Sequence, residues 1–350
     1  TGGRIWVDGV AWGDQGDLRS RGGLGNSARH QNGFAHFALG RHSSDKFVVS
    51  RLGGNMEKLI IDARLNEYTM RDPNPNVPYS PAEIGADAAA CREAGASIVH
   101  YHARDPESGA ASNDTELYKA AAREIRSRCD AIIMPTLGAS TVVELDDRIG
   151  HIEAMAEDDA TRADLVPLDL ASISLPIWPE GADHVLGDDL VYYNSVGTLK
   201  ALAARADAVG AKPMTAIWNI ASLRLLEAFC KTGVLPNTVF AELFTTEGGL
   251  IAGHPGTPRG LQALIDFVPA SVDCVWAAAC FGANALPLAE MAIEQGGHVA
   301  IGLGDFGYPG LGHGEPATNA DVIREVVAMA SRHGREIATP DEVRERLGLC

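Results

Sequence analysis

The sequence predicts an α/β protein, a (β/α)8 TIM barrel with an irregular N-terminal extension. Three observations predict it. Apolar runs of about four to eight residues alternate with helical segments of about ten to fifteen, the pattern of parallel strands joined by right-handed crossovers. Eight such runs follow one another over roughly 290 residues, which is the arithmetic of a closed barrel. The first strand-to-helix turn carries no glycine-rich phosphate loop, and neither Gly-x-Gly-x-x-Gly nor a Walker pattern stands where a doubly wound sheet would need it. That open sheet is the alternative architecture.

The extension comes first. Residues 1–55 differ in texture from the rest, and 9–40 are rich in Gly, Arg, His, Asn and Ser with no sustained period. They lack the apolar core of a secretion signal. Regular alternation begins at Leu59, just after Met56. Met56 is therefore the expected natural start, with 1–55 a tag, a linker, upstream translation or a poorly packed extension. Residues 56–350 are the expected catalytic domain.

The first strand is expected over 59–63. Ser80-Pro81-Ala82-Glu83 then reads as a capping box, with Ser at the N-cap, Pro at the first helical position and Glu at the third. That helix should end near Ala94, before Gly95. Strands are expected over 97–103, 131–136, 169–175, 212–218, 238–244, 274–280 and 298–303. Helices are expected over 114–128, 195–209, 222–231, 258–267, 285–294 and 319–332, several of them closed by glycine.

Composition narrows the function. The 350-residue chain has 46 acidic against 29 basic residues, for a net charge of −17. Such a surface repels phosphate backbones, so no nucleic-acid partner is expected. No apolar run approaches the roughly 20 residues of a membrane span, so no membrane partner is expected either. None of the six cysteines forms a Cys-x-x-Cys pair. In a chain this long they read as reduced thiols of a cytoplasmic protein. Symmetric homo-oligomers are common among such barrels, and one is expected here.

Barrel chemistry sits at the carboxyl ends of strands, so those ends supply the candidates. His100 and His102 are two apart at the end of the second strand and project to one face. Two imidazoles side by side form a common half of a zinc or iron site. Asp305 ends the eighth strand, and Glu67 lies just past the first, after Asp62 and Arg64. Either carboxylate can complete a set of two histidines and one carboxylate with an open position, leaving the other as general base. Thr136 and the backbone near Gly138 end the third strand, and Ser172 and Ser174 share a face of the expected fourth. Such groups can hold a carboxylate or keto oxygen. Arg104 is a further candidate for substrate binding.

Three stretches make the sequence resemble the β-keto acid cleavage enzymes, the family of 3-keto-5-aminohexanoate cleavage enzyme. One runs from Pro81-Ala82-Glu83 through His100-Tyr101-His102-Ala103-Arg104-Asp105, and the second from Gly296-Gly297-His298 to Gly302-Leu303-Gly304-Asp305. The third is the tail, with Thr318-Asn319-Ala320-Asp321, then Gly334-Arg335-Glu336-Ile337-Ala338-Thr339-Pro340, Arg344 and Leu347-Gly348-Leu349. The resemblance implies a zinc-dependent TIM barrel, with another divalent metal possible. It implies an acyltransferase that condenses a β-keto acid with acetyl-CoA, giving acetoacetate and a new acyl-CoA by a retro-Claisen route. His100 and His102 match the zinc histidines, Glu67 the acidic residue after strand one, Thr136 and Ser172 substrate-contacting hydroxyls, and Asp305 the catalytic aspartate.

Two positions depart from the family pattern Arg-x-Gly-x-Glu-Asp on strand eight. The glutamate that would be the third ligand is Gly304, and the arginine that would partner the aspartate is Ala300. Asp305 or Glu67 must then enter the metal shell, or the metal is weakly held. Strand five carries Met214, Thr215, Ala216, Ile217 and Trp218 where the family pairs acidic residues, so a substrate with an apolar or neutral tail is expected. The alternatives to cleavage are another metal-dependent hydrolase or aldolase-type lyase on the same barrel, or a non-catalytic ligand-binding relative.

Overall fold

Apolar strand segments and capped helices alternate through the chain, and the computed structural model assembles them around one axis. It describes residues 56–137, 144–312 and 314–349, together with the backbone of a short antiparallel ladder, Trp6–Val7 against Val10–Ala11. The remaining expectations for 1–55, and Gly138, lie outside the described residues.

Eight parallel strands form a nearly closed barrel: β1 (Ile61–Arg64), β2 (Ile98–Tyr101), β3 (Ile132–Pro135), β4 (Leu165–Asp169), β5 (Lys212–Ile217), β6 (Thr238–Thr246), β7 (Asp273–Phe281) and β8 (His298–Ile301). Each is followed by a helix: α1 (Pro81–Ala94), α2 (Thr115–Arg128), α3 (Leu145–Met155), α4 (Val196–Ala208), α5 (Ile220–Lys231), α6 (Pro258–Ile265), α7 (Leu286–Glu294) and α8 (Asn319–Arg332). A ninth helix, α9 (Pro340–Leu347), ends the described chain. The ladder runs β3-β2-β1-β8-β7-β6-β5-β4.

The seam between β3 and β4 has a cause in the sequence. Lys212 N donates to Asp164 O and Leu170 N to Ala216 O, so the even-numbered residues of β4 bond to β5. Pro167 therefore turns its missing N–H toward β3. On β3, Ile132 N and Thr136 N donate to β2 partners, so Pro135 faces β4. Two prolines without donors flank the gap, and neither can extend a ladder. Asp164 bridges it instead, its N donating to Ile133 O at 3.0 Å and its Oδ2 accepting from Ile133 N at 2.7 Å.

Local chemistry explains the helices. Ser80 and Glu83 form the expected capping box on α1, and Thr318–Asp321 and Thr339–Glu342 repeat it on α8 and α9. Each box satisfies two otherwise orphaned N–H groups. Helix α1 packs closely on α2 because Gly85 has no side chain; a Cβ there would stand 2.5 Å from Glu124 Cβ.

Alternate residues of each strand divide the core. Ala63, Val99, Tyr101, Ile133 and Val299 face the helices, while Ile98, Ile132, Met134 and Phe240 fill the barrel. The inner set also holds Ala216, Ala277, Ala279 and Ala300. These small side chains leave room for the ionisable groups that share the interior.

The fourth strand corrects the sequence reading. It was expected over 169–175, whereas β4 ends at Asp169 and Ile173–Ser174 pairs antiparallel with Val191–Tyr192 in an excursion before α4. Pro167 disguised the true strand, and α3 and α9 were not anticipated. No disulfide joins the five described cysteines. No described helix is long and apolar enough to cross a membrane.

Candidate functional site

The carboxyl ends of β1 and β2 carry the centre. Arg64 and His100 are register partners on these neighbouring strands. His102 lies one step beyond β2, where no ladder fixes it. Asn66 does so instead: its Oδ1 accepts from His102 N at 2.8 Å and its Nδ2 donates to His102 O at 3.1 Å. The two imidazoles meet edge to face, centroids 5.2 Å apart.

Glu67 stands between them. His100 Nε2 lies 2.9 Å from Glu67 Oε1, and His102 Nε2 lies 2.9 Å from Oε2. One ligand atom from each of Glu67, His100 and His102 falls within 4.8 Å of the others, and all three residues are buried. This is the one such group of three found among the described residues. Glu67 Oε1 and His100 Nδ1 are buried without an aligned hydrogen-bond partner. Two imidazole nitrogens and one carboxylate converging on one point fit a divalent ion.

Gly304 explains how Glu67 reaches this place. A Cβ on residue 304 would stand 2.6 Å from Glu67 N and 2.8 Å from Glu67 Cγ. A side chain there would displace the carboxylate that now completes the cluster.

Asp305 lies outside this group of three. Arg64 Nε donates to both of its oxygens, at 3.1 and 2.9 Å. Arg64 is the hub of the site. Its Nη1 donates to Glu242 Oε2 at 2.8 Å, its Nη2 closely approaches Glu67 Oε1, and its guanidinium lies 4.8 Å from the Phe244 ring centroid. With alanine at 300, the cation that holds Asp305 comes from β1 rather than β8.

Burial and charge set the protonation states. Burial disfavours the Arg64 charge, but Asp305, Glu67, Glu242 and Asp62 outweigh it and hold the guanidinium above its usual range. Glu67 is also desolvated, yet Arg64 and then the two imidazoles keep its pKa well below the ordinary carboxylate value. Burial pushes His102 down to about 4 against the pull of Glu67, so it is a neutral imidazole at pH 7. Burial pushes Asp305 up to about 7, with Arg64 opposing.

A cavity opens beside the cluster. Arg64, Glu67, Tyr68, His100, His102 and Thr136 line one side. Leu175, Ile177, Met214, Ala216, Trp218 and Phe244 line much of the other. Trp218 stacks on Phe244, centroids 4.8 Å apart. Asp169 faces the same space, but Trp218 Nε1 donates to its Oδ1 at 2.6 Å and Tyr192 Oη to its Oδ2 at 2.7 Å.

The other candidates fall elsewhere. Ser172 and Ser174 do not reach the cavity; Ser172 Oγ accepts from Asn194 N at 2.8 Å, and both residues are exposed. The reason is the early end of β4. Arg104 stands behind the rim, donating to Thr69 O at 2.9 Å and to Glu67 O, so it holds the loop that carries Glu67. The sequence reading missed the parts played by Arg64, Glu242, Asp169 and Tyr192. The signal for Glu242 was a lone charge within an apolar strand.

A parallel eight-stranded barrel with its ionisable side chains gathered at the strand carboxyl ends has the build of a barrel enzyme. The chain belongs to the beta-keto acid cleavage enzyme family, whose model matches residues 58–349. Among its relatives, 3-keto-5-aminohexanoate cleavage enzyme of Acetoanaerobium sticklandii is 29% identical over 84% of this chain and 99% of that protein. The 3-dehydrocarnitine:acetyl-CoA trimethylamine transferase of Rhizobium meliloti is 27% identical over 78% of this chain and 90% of its own. The apo structure of ObcA shares the fold, with a TM-score of 0.62 and 17% identity over 79% of this chain; the chain spans 66% of that protein's length.

Proposed function

We propose that this chain is a metal-dependent β-keto acid cleavage enzyme that condenses a β-keto acid with acetyl-CoA, giving acetoacetate and a new acyl-CoA. The balance is R–CO–CH2–COO⁻ plus CH3–CO–SCoA giving R–CO–SCoA plus CH3–CO–CH2–COO⁻. The observation that carries the reading is the Glu67–His100–His102 cluster at the cavity wall, with Arg64 tying it to Asp305.

Glu67, His100 and His102 would hold the ion, and two imidazoles with one carboxylate are a donor set that zinc accepts. A bound divalent ion supplies Lewis-acid polarisation of the substrate's keto oxygen. Asp305 then acts as general base on the acidic C–H between the keto and carboxylate groups. Its carboxyl is raised to about 7, so its basicity is near the working pH. Thr136 steadies a substrate oxygen. The tail R lies along Met214, Ala216, Trp218 and Phe244, which favours apolar, uncharged tails. The acetyl-CoA-dependent relatives support the second substrate.

The test is direct. Protein with acetyl-CoA and a panel of β-keto acids should form acetoacetate and a matching CoA thioester, with neutral-tailed acids preferred. Chelation should stop the reaction and zinc restore it. Turnover that survives complete metal removal, or acetoacetate formed with no new thioester, overturns the reading.

A further inference from the structure

Two carboxyl groups inside the barrel have no part in the chemistry above. Asp62 on β1 and Glu242 on β6 are both 0% exposed. Neither Asp62 oxygen has a donor, and neither does Glu242 Oε1. Glu242 Oε2 accepts from Arg64 Nη1 at 2.8 Å. The two side chains are in hydrogen-bonding contact with each other.

Two ionised carboxylates cannot hydrogen-bond, because both are acceptors only. Both are sealed from bulk solvent, and an unpaired buried charge is costly. One proton between them removes the conflict. We infer that Asp62 and Glu242 form a one-proton carboxyl pair, Glu242 donating through Oε1 to Asp62, and that this pair sets the charge of the centre to suit a divalent cation.

The surrounding charges fit. Arg64, Glu67 and Asp305 act on Asp62, while Arg64 and His100 act on Glu242. Burial raises Asp62 to about 6; it raises Glu242 far above the carboxylate range, where the neighbouring Asp62 charge adds to the effect. With Glu242 neutral, and above about pH 7 where Asp305 is ionised, one guanidinium faces the three carboxylates of Asp62, Glu67 and Asp305. Two negative charges remain, and a divalent ion cancels them. Were both members of the pair ionised, a third would be left over.

The cation half of this inference rests on the metal reading; the proton half does not. Both can be tested with substitutions that preserve shape. Removing either acid leaves one negative charge on the pair, whereas removing both takes that charge away. Zn2+ titration of chelator-treated protein should therefore give Asp62→Asn and Glu242→Gln affinities within about twofold of wild type, because neither change alters the net charge facing the ion. The double variant should bind Zn2+ about tenfold or more weaker. A tenfold loss in Glu242→Gln alone would show that Glu242 is ionised and overturn the pair.

Infrared difference spectra of the metal-free protein at pH 9 give an independent reading, since Asp305 and the buried Asp87, raised to about 7, are ionised there. Wild type should show a protonated-carboxyl stretch that shifts in D2O. It should vanish in Glu242→Gln and equally in Asp62→Asn, so either variant decides the matter if the other fails to fold. Absence of the band in wild type sinks the pair. Wild-type protein that shows the band but binds no Zn2+ sinks the metal reading and leaves the shared proton standing.

Discussion

On the β1 and β2 side of the barrel mouth, the cavity is walled by Arg64, Glu67, His100 and His102; on the β4 and β5 side, by Pro167, Met214, Ala216 and Trp218. Asp169 is the one carboxylate lining that second side among the described residues, and both of its oxygens are already engaged by Trp218 and Tyr192. The first half gathers charges that satisfy one another and aim at one point. The second presents shape and apolar surface, and ties down the charge it has. The contrast separates chemistry from recognition: changes in the first half should act on metal binding and turnover, changes in the second on which tail is accepted.

The largest expected effect breaks the charged half outright. His100→Ala removes one of the two imidazoles proposed to hold the metal. It should raise the Kd for Zn2+ more than about 100-fold, beyond the usual cost of losing an outer-shell partner. Metal content after dialysis checks this. A variant that still carries one zinc per chain would show that His100 is no ligand.

Next comes Asp305→Asn. Loss of a general base should lower kcat by about 10²–10⁴-fold, with zinc content unchanged because the carboxylate bonds Arg64 rather than the cluster. The pH profile adds a sign. Asp305 has its pKa raised to about 7 by burial, and the base must be ionised, so wild-type kcat/KM should climb as pH rises through about 7. That limb should disappear in the Asn variant. Zinc lost along with activity would move Asp305 into the ligand shell.

The same contrast governs what could be read from the sequence. The charged half sits on regular strands, where spacing fixes direction. His-x-His at a strand end places both rings on one face, and Asp305 follows the last strand; both were legible. Which carboxylate stands against the two imidazoles was not. It depends on the close approach of Gly304 to Glu67 and on Arg64 reaching across to Asp305, contacts between residues more than 230 positions apart. The apolar half was legible on β5 alone. Around β4 the reading failed because Pro167 looks like a strand breaker and is tolerated only at a seam. Ser172 and Ser174 were misplaced with it. The excursion carrying Tyr192 has no period from which its path could be derived.

The subtlest change, Trp218→Phe, sharpens the comparison within the apolar half. Phenylalanine keeps an aromatic face for Phe244 but has no N–H, so Asp169 Oδ1 loses the donor now 2.6 Å away. Tyr192 still holds the other oxygen, and Arg148 still supports Tyr192 through a 3.2 Å bond from Nη2. The freed lone pairs face the tail region, where an amine could satisfy them. A hydrogen bond to a charged group is worth about 1.5–3 kcal/mol, so kcat/KM for an amine-tailed β-keto acid relative to a neutral-tailed one should rise about tenfold or more. Turnover of the neutral substrate should change little, because the charged half is untouched. Measured competition between the two acids decides it. An unchanged ratio would mean that the tail never approaches Asp169, and that selection against amines comes from β5 alone.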